Sequence, residues 1–111
     1  MVEVIAMDEF TAWYVQLDES AAESVGHVVG LLEAKGVLLD HPYSSAINGA
    51  TFALRELRVQ SGGRPLRVFY AFDPKRQAAL LLGGDKTGDD RFYERMIRDC
   101  ERIWRGYMQE F

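Results

Sequence analysis

Between Ala53 and Thr87 the chain has little freedom in what it can become. Three strand-like runs, Leu54–Gln60, Arg64–Asp73 and Gln77–Gly84, are separated by Ser61-Gly62-Gly63 and by Asp73-Pro74-Lys75-Arg76. Glycine accepts positive φ without steric cost, and proline pre-sets φ at a corner. Neither connection is long enough for a parallel crossover, so the three runs predict an antiparallel meander. Whatever lies on either side must pack around that sheet.

Strand faces follow from a period of two. Leu66, Val68, Tyr70 and Phe72 form the better core face of the second run, alternating with Arg67, Phe69 and Ala71. In the first run Leu57 and Val59 share one face, Glu56 and Arg58 the other. This places Arg58 and Arg67 together on an open sheet face. Arg55 has the parity of Leu57, but near the strand start it either curls outward or follows a bulge to the other face. The third run, Ala78-Ala79-Leu80-Leu81-Leu82, is apolar on both faces, as expected of a central strand covered on both sides.

Upstream, Val2–Ala6 reads as a short strand joining the same sheet. Asp8 reads as an N-cap, and Phe10, Trp13, Tyr14 and Leu17 recur at helical spacing, giving a first helix to about Leu17. Ser20 and Glu23 form a capping-box pair opening a second helix to about Ala34, with Gly36 as its stop. The two helices should form a hairpin on one sheet face. From Gly36 to Thr51 only a few extended residues are expected. Thr87 and Asp90 have capping-box-like spacing ahead of the clearest helix. Its stripe runs through Phe92, Tyr93, Met96, Ile97, Cys100, Ile103, Trp104, Tyr107 and Met108. On its outer face Glu94–Arg98 and Glu101–Arg105 are spaced to pair.

The 111 residues suffice for one core, so residues 1–111 are expected to form one α+β domain. No basic leader precedes a long apolar segment, no run is long enough to span a membrane, and one cysteine, Cys100, forms no internal disulfide. A cytoplasmic location fits these features. The formal charge of −4 is unevenly distributed. Residues 1–42 hold one basic residue and eight acids; the rest holds twelve and nine. One basic face meeting an anionic partner is one reading of that asymmetry, and an ordinary solvated surface is the other.

The order strand, helix hairpin, three-stranded meander, helix resembles the RelE/ParE superfamily of bacterial toxins, and most closely its phage-derived HigB-like branch. Three segments carry the resemblance: Leu54–Arg58, Arg64–Asp73, and Leu80–Thr87 leading into the last helix. The resemblance implies a compact RelE-like fold and the toxin of a type II toxin–antitoxin pair. It further implies an endoribonuclease that cuts mRNA on the ribosome. A cognate antitoxin carrying a helix-turn-helix domain would neutralise it. Two features depart from the family: the sequence pI is near 5.1, and no histidine lies near the C-terminus. A non-enzymatic ParE-like toxin acting on a protein such as DNA gyrase, and an inactive prophage relic that only binds its antitoxin, are the competing readings.

RNA cleaves when a 2′-hydroxyl attacks the neighbouring phosphate, which needs a base, charge stabilisation and an acid. The two histidines, His27 and His41, lie outside the basic meander, so fixed cations must carry more of the chemistry. Arg58 and Arg67 on adjacent strands are candidates to clamp a phosphate through their planar forks of donors. Lys86 is the candidate proton carrier at the edge of the site. Arg55, Arg64 and Tyr93 are candidates for RNA binding, with Tyr93 or Tyr70 as the phenol for stacking or proton transfer. Against each stands a plainer reading: solvated arginines, a turn lysine, core tyrosines. No metal-ligand spacing and no cofactor motif is present, and Gly83–Gly88 lacks the spacing of a phosphate loop.

Overall fold

The computed structural model describes residues 1–111. Its elements are β1 (Val4–Ala6), α1 (Asp8–Tyr14), α2 (Glu19–Lys35), a short 3-10 turn (Gly36–Leu38), β2 (Ser44–Ala46), β3 (Arg55–Ser61), β4 (Arg64–Phe72), β5 (Ala78–Asp85) and α3 (Phe92–Met108). The five strands form one sheet in the order β1-β5-β4-β3-β2. The meander β3-β4-β5 is antiparallel throughout, and β1 pairs with β5 in parallel, Val4 opposite Ala78.

Ser61 pairs with Arg64 across a two-residue loop in which Gly62 and Gly63 both take positive φ, 57° and 78°. That geometry matches the right-handed strand twist, and here glycine is required. β5 lies between β1 and β4, and Ala78, Ala79, Leu80 and Leu81 are all buried, as its apolar sequence requires of a strand covered on both faces.

The faces divide the core in two. Leu57, Val59, Leu66, Val68, Tyr70, Ala78 and Leu80 pack under α1 and α2, against Phe10, Ala21, Val25, Val28 and Leu32. Leu54, Phe69, Ala79 and Leu81 pack under α3, against Phe92, Met96, Cys100, Ile103 and Tyr107. The second layer corrects the expectation of an open face. α3 closes the side on which Arg58 and Arg67 lie, and Arg67 is 7% exposed. The close approach is possible because Gly84 has no Cβ: one built there would lie 2.8 Å from Met96 and 2.9 Å from Phe92.

The ends of the helices differ from expectation. α1 starts after Met7 with no side-chain cap and stops at Tyr14. α2 is capped by Asp18, whose carboxylate accepts from the Ala21 N–H at 2.8 Å, two residues earlier than the Ser20–Glu23 pair suggests. Gly36 ends it with φ 55°, as expected. α3 starts at Phe92 because the acids ahead of it are spent on turns. Asp85 accepts from the Thr87 N–H and hydroxyl, and Asp89 from the Arg91 N–H. On its outer face Glu101 turns to Thr51, and Arg98 and Arg102 both approach Asp99, so the two predicted i,i+4 pairs give way to other partners. Residues 44–46, read as loop, form a fifth strand, with Ser44 opposite Leu57. No helix is long and apolar enough to cross a membrane.

Asp73 anchors the β4–β5 turn to α3. Its carboxylate accepts from the Lys75 and Gln77 N–H groups, from Gln77 Nε2 at 3.0 Å and from the Tyr107 hydroxyl at 2.7 Å. Burial works to raise the Asp73 pKa, but these hydrogen bonds outweigh it and hold the carboxyl below its usual value. Tyr107→Phe should therefore destabilise the fold by about 1.5–3 kcal/mol at neutral pH, as for a bond to a charged group. A depressed folded-state pKa gives stability that is complete above the unfolded value and lost as pH falls through the folded one. The Tyr107→Phe penalty should shrink over that same descent below the ordinary carboxylate range. Urea titrations from pH 7 to pH 2 measure it, and a penalty independent of pH would remove the Asp73 carboxylate from the explanation.

Candidate active site

Arg58 and Arg67 face one another directly across β3 and β4. Two guanidinium groups so placed repel unless a counter-charge intervenes, and Glu56 supplies it. With the parity of Arg58, Glu56 lies on the same face two residues earlier. Glu56 is 2% exposed. Glu56 Oε2 lies 3.3 Å from Arg58 Nε and accepts from the Ser45 hydroxyl at 3.0 Å. Glu56 Oε1 lies 3.4 Å from Arg67 Nε and accepts from the Tyr93 hydroxyl at 2.7 Å. Arg67 is fixed further by donating Nη1–H to the Leu66 carbonyl at 3.0 Å and Nε–H to the Tyr93 oxygen at 3.4 Å.

Tyr93 reaches this cluster from the first turn of α3, half-buried, with its ring edge-on to Phe69 and Phe92. Burial first, and then the bond to Glu56, raise its phenol above the ordinary value, with Arg67 opposing. It is a neutral phenol at physiological pH. Lys86, just past β5, holds its Nζ 5.3 Å from the centre of the Tyr93 ring, a cation–π contact that places the ammonium at the rim of the cluster.

Four of the six residues singled out from sequence, Arg58, Arg67, Lys86 and Tyr93, are thus brought together. Arg55 and Arg64 are not. Arg55 keeps the parity of Leu57 and stays on the α2 side, donating to the Ser44 hydroxyl at 3.1 Å and the Tyr70 hydroxyl at 3.3 Å, with Asp40 at 3.9 Å. Arg64 pairs with the α2 cap, Asp18, at 2.9 Å. Tyr70 is fully buried and bonded to Ser44. Glu56 and Ser45 were missed. The signal for Glu56 was present in its parity with Arg58; Ser45 enters through β2, which sequence pattern did not reveal.

A cleft of about 750 Å3 opens beside the cluster. β2 pairs with β3 only over Arg55–Leu57, and a last bond runs from the Arg58 N–H to the Tyr43 carbonyl at 2.8 Å. Beyond it the edge of β3 is uncovered. The cleft runs from Arg67 and Arg58 past Gln60 to the outer side of α2, where Glu23, Ser24 and His27 line it, with Tyr43 on the loop side. No set of three or more His, Cys, Asp or Glu side chains is gathered anywhere that would hold a metal ion. The arrangement offers one exposed and one buried guanidinium, a neutral phenol hydrogen-bonded to a carboxylate, and an ammonium at the rim. Those are the groups that bind a phosphodiester and move a proton next to it.

Comparison with known proteins agrees with this architecture. A family model described as phage derived protein Gp49-like (DUF891) matches residues 12–105. A protein of Mycobacterium tuberculosis named toxin HigB3 is 41% identical over 96 residues, covering 85% of this chain and 82% of that protein. Another from the same organism, named toxin HigB2, is 31% identical over 108 residues, covering 95% of this chain and 54% of that one. Among solved structures, a mutant of the E. coli toxin RelE in the free state superposes with a TM-score of 0.62 at 9% identity, covering 87% of this chain and 96% of the other, a likeness of fold.

Proposed function

Since this chain belongs to the phage-derived Gp49-like family, on the HigB-like branch of the RelE/ParE superfamily, we propose that it is the toxin of a type II toxin–antitoxin pair and cuts mRNA on the ribosome. Residues 1–111 act as one toxin domain, held inactive by a cognate antitoxin with a helix-turn-helix domain. With ribosomal mRNA as substrate its place of action is the cytoplasm. One observation carries the reading: Glu56 gathers Arg58, Arg67 and the Tyr93 hydroxyl at a single point of the basic side of the sheet.

In the proposed reaction the scissile phosphate binds at Arg58, the exposed guanidinium, with Arg67 behind it. The 2′-oxygen attacks phosphorus while its proton passes to the Tyr93 oxygen and the phenol proton passes to Glu56, along the 2.7 Å bond already in place. A phenol held in its neutral form relays a proton in this way without becoming an anion. The bond from phosphorus to the 5′-oxygen breaks, and the Lys86 ammonium gives that oxygen its proton. The products are a 2′,3′-cyclic phosphate and a 5′-hydroxyl. Charge on the phosphorane is met by the two guanidinium groups.

Tyr93→Phe tests the relay. It should reduce cleavage in a reconstituted translation reaction by about 10²-fold, the range of general acid–base catalysis, with the cut positions unchanged. Primer extension reads both. Full activity in Tyr93→Phe rules out the relay. Absence of ribosome-dependent cutting by well-folded wild-type protein rules out the interferase reading and favours a protein target.

A further inference from the structure

The cleft beyond Arg58 is larger than the phosphate site needs, and its charges are ordered. The sheet end is cationic, with Arg58 and Arg67. The α2 end carries an acid, Glu23, with the polar side chains of Ser20, Ser24 and His27 lining the cleft beside it. Tyr43, 39% exposed, lines the loop side. A second phosphate is unwelcome next to Glu23, whereas the edge of a base is not. An aromatic ring and hydrogen-bonding side chains beside a phosphate clamp suit a splayed-out nucleotide of single-stranded RNA. Resting on the interferase reading, we infer that this cleft receives the base of a nucleotide flanking the cut, and that Glu23 selects which base enters.

The selection follows from donor patterns. A carboxylate accepts from the exocyclic amine of adenine or cytosine, and from the paired N1–H and N2–H of guanine. Uracil offers only N3–H, flanked by two carbonyl oxygens that repel the carboxylate. The cleft should therefore discriminate against uridine at one position beside the cut. Tyr43 supplies stacking that any base accepts, so its loss weakens binding without changing the preference. His27 lies one helical turn beyond Glu23 on α2, in the same cleft as Arg58 and Arg67. It serves as an adjacent reporter of occupancy.

The test is sequencing of all cut sites made in a reconstituted translation reaction by wild type, Glu23→Gln and Tyr43→Ala. Wild type should show uridine depleted at least about fivefold at one flanking position. Glu23→Gln, whose amide both donates to a carbonyl and accepts from N3–H, should erase most of that depletion. Tyr43→Ala should lower total cutting and keep the preference. An unchanged uridine bias in Glu23→Gln, or no bias in wild type, overturns the inference. If wild type makes no cuts the interferase reading fails, and the cleft is judged separately by NMR. Imidazole shifts of His27 are followed with 2′-O-methyl oligoadenylate and oligouridylate hexamers. Saturable shifts stronger with oligoadenylate, and equalised in Glu23→Gln, support the base subsite; no shift with either overturns it.

Discussion

Arg58→Ala should cut mRNA on the order of 100-fold more slowly than wild type, the cost of removing one preorganised donor at a developing oxyanion. The protein should nevertheless melt within about 4 °C of wild type, because Arg58 is the solvated partner of its pair and Glu56 keeps its other partners, so the loss is on the order of 1 kcal/mol. The Arg58 side chain is 44% exposed, and its bond to Glu56 is the outermost of the cluster. Removing it leaves Glu56 with hydrogen bonds from Tyr93 and Ser45 and with its ion pair to Arg67. By sequence parity Arg58 and Arg67 are equal candidates for this experiment, both charges on an open face. The burial of Arg67 under α3 leaves Arg58 as the cleaner choice, since a change at Arg67 alters stability and chemistry together. Arg58→Lys should recover only about tenfold of the loss, an ammonium lacking the planar fork that spans two phosphate oxygens. Cutting rates in the translation reaction, paired with thermal melts, decide it. A wild-type rate in Arg58→Ala removes this residue from the site.

What was legible from sequence was whatever depends on local periodicity. The meander, its glycine turn, the double-sided burial of β5 and the α3 stripe each follow from residues within one element. The parity that places Glu56, Arg58 and Arg67 on one face was legible too, and so was the proximity of Lys86 to the end of β5. What escaped depends on how elements meet. That α3 lies over Arg67, and that Tyr93 reaches Glu56, is a matter of helix placement, and the stripe of α3 does not specify which strands it covers. β2 was illegible because three residues, Ser44-Ser45-Ala46, have no β-branched or alternating pattern; neighbouring β3 makes them a strand. The helix caps were misplaced because Asp, Ser and Thr cluster ahead of α2 and α3, and tertiary contacts choose among them. Asp18 prevails over Ser20 where it also meets Arg64, 46 residues away.

Glu56→Gln should both abolish cutting and lower the unfolding free energy by about 3 kcal/mol, the scale for breaking a buried ion pair by removing one partner. The shape of the side chain is kept, but an NH2 donor enters a point on which the donors of Ser45, Arg58 and Tyr93 converge beside the Arg67 guanidinium. Arg67, whose side chain is 9% exposed, is left as a buried cation without its counter-charge. For a chain of this size the loss corresponds to a melting temperature lower by on the order of 12 °C. Stability and activity then separate in a second variant. Replacing both partners, Glu56→Leu with Arg67→Met, removes the stranded charge and should recover more than half of the stability, because an apolar pair of similar volume costs little where an ion pair was buried. It should recover no cutting, since the relay base and the second guanidinium are both gone. Urea unfolding of Glu56→Leu, Arg67→Met and the double variant gives the coupling, expected to exceed about 1 kcal/mol for groups in contact. Additive losses would show that Glu56 and Arg67 are held by their other neighbours and not by each other. The cluster would then be a set of solvated charges sharing a sheet face, without the preorganisation that the proposed chemistry requires.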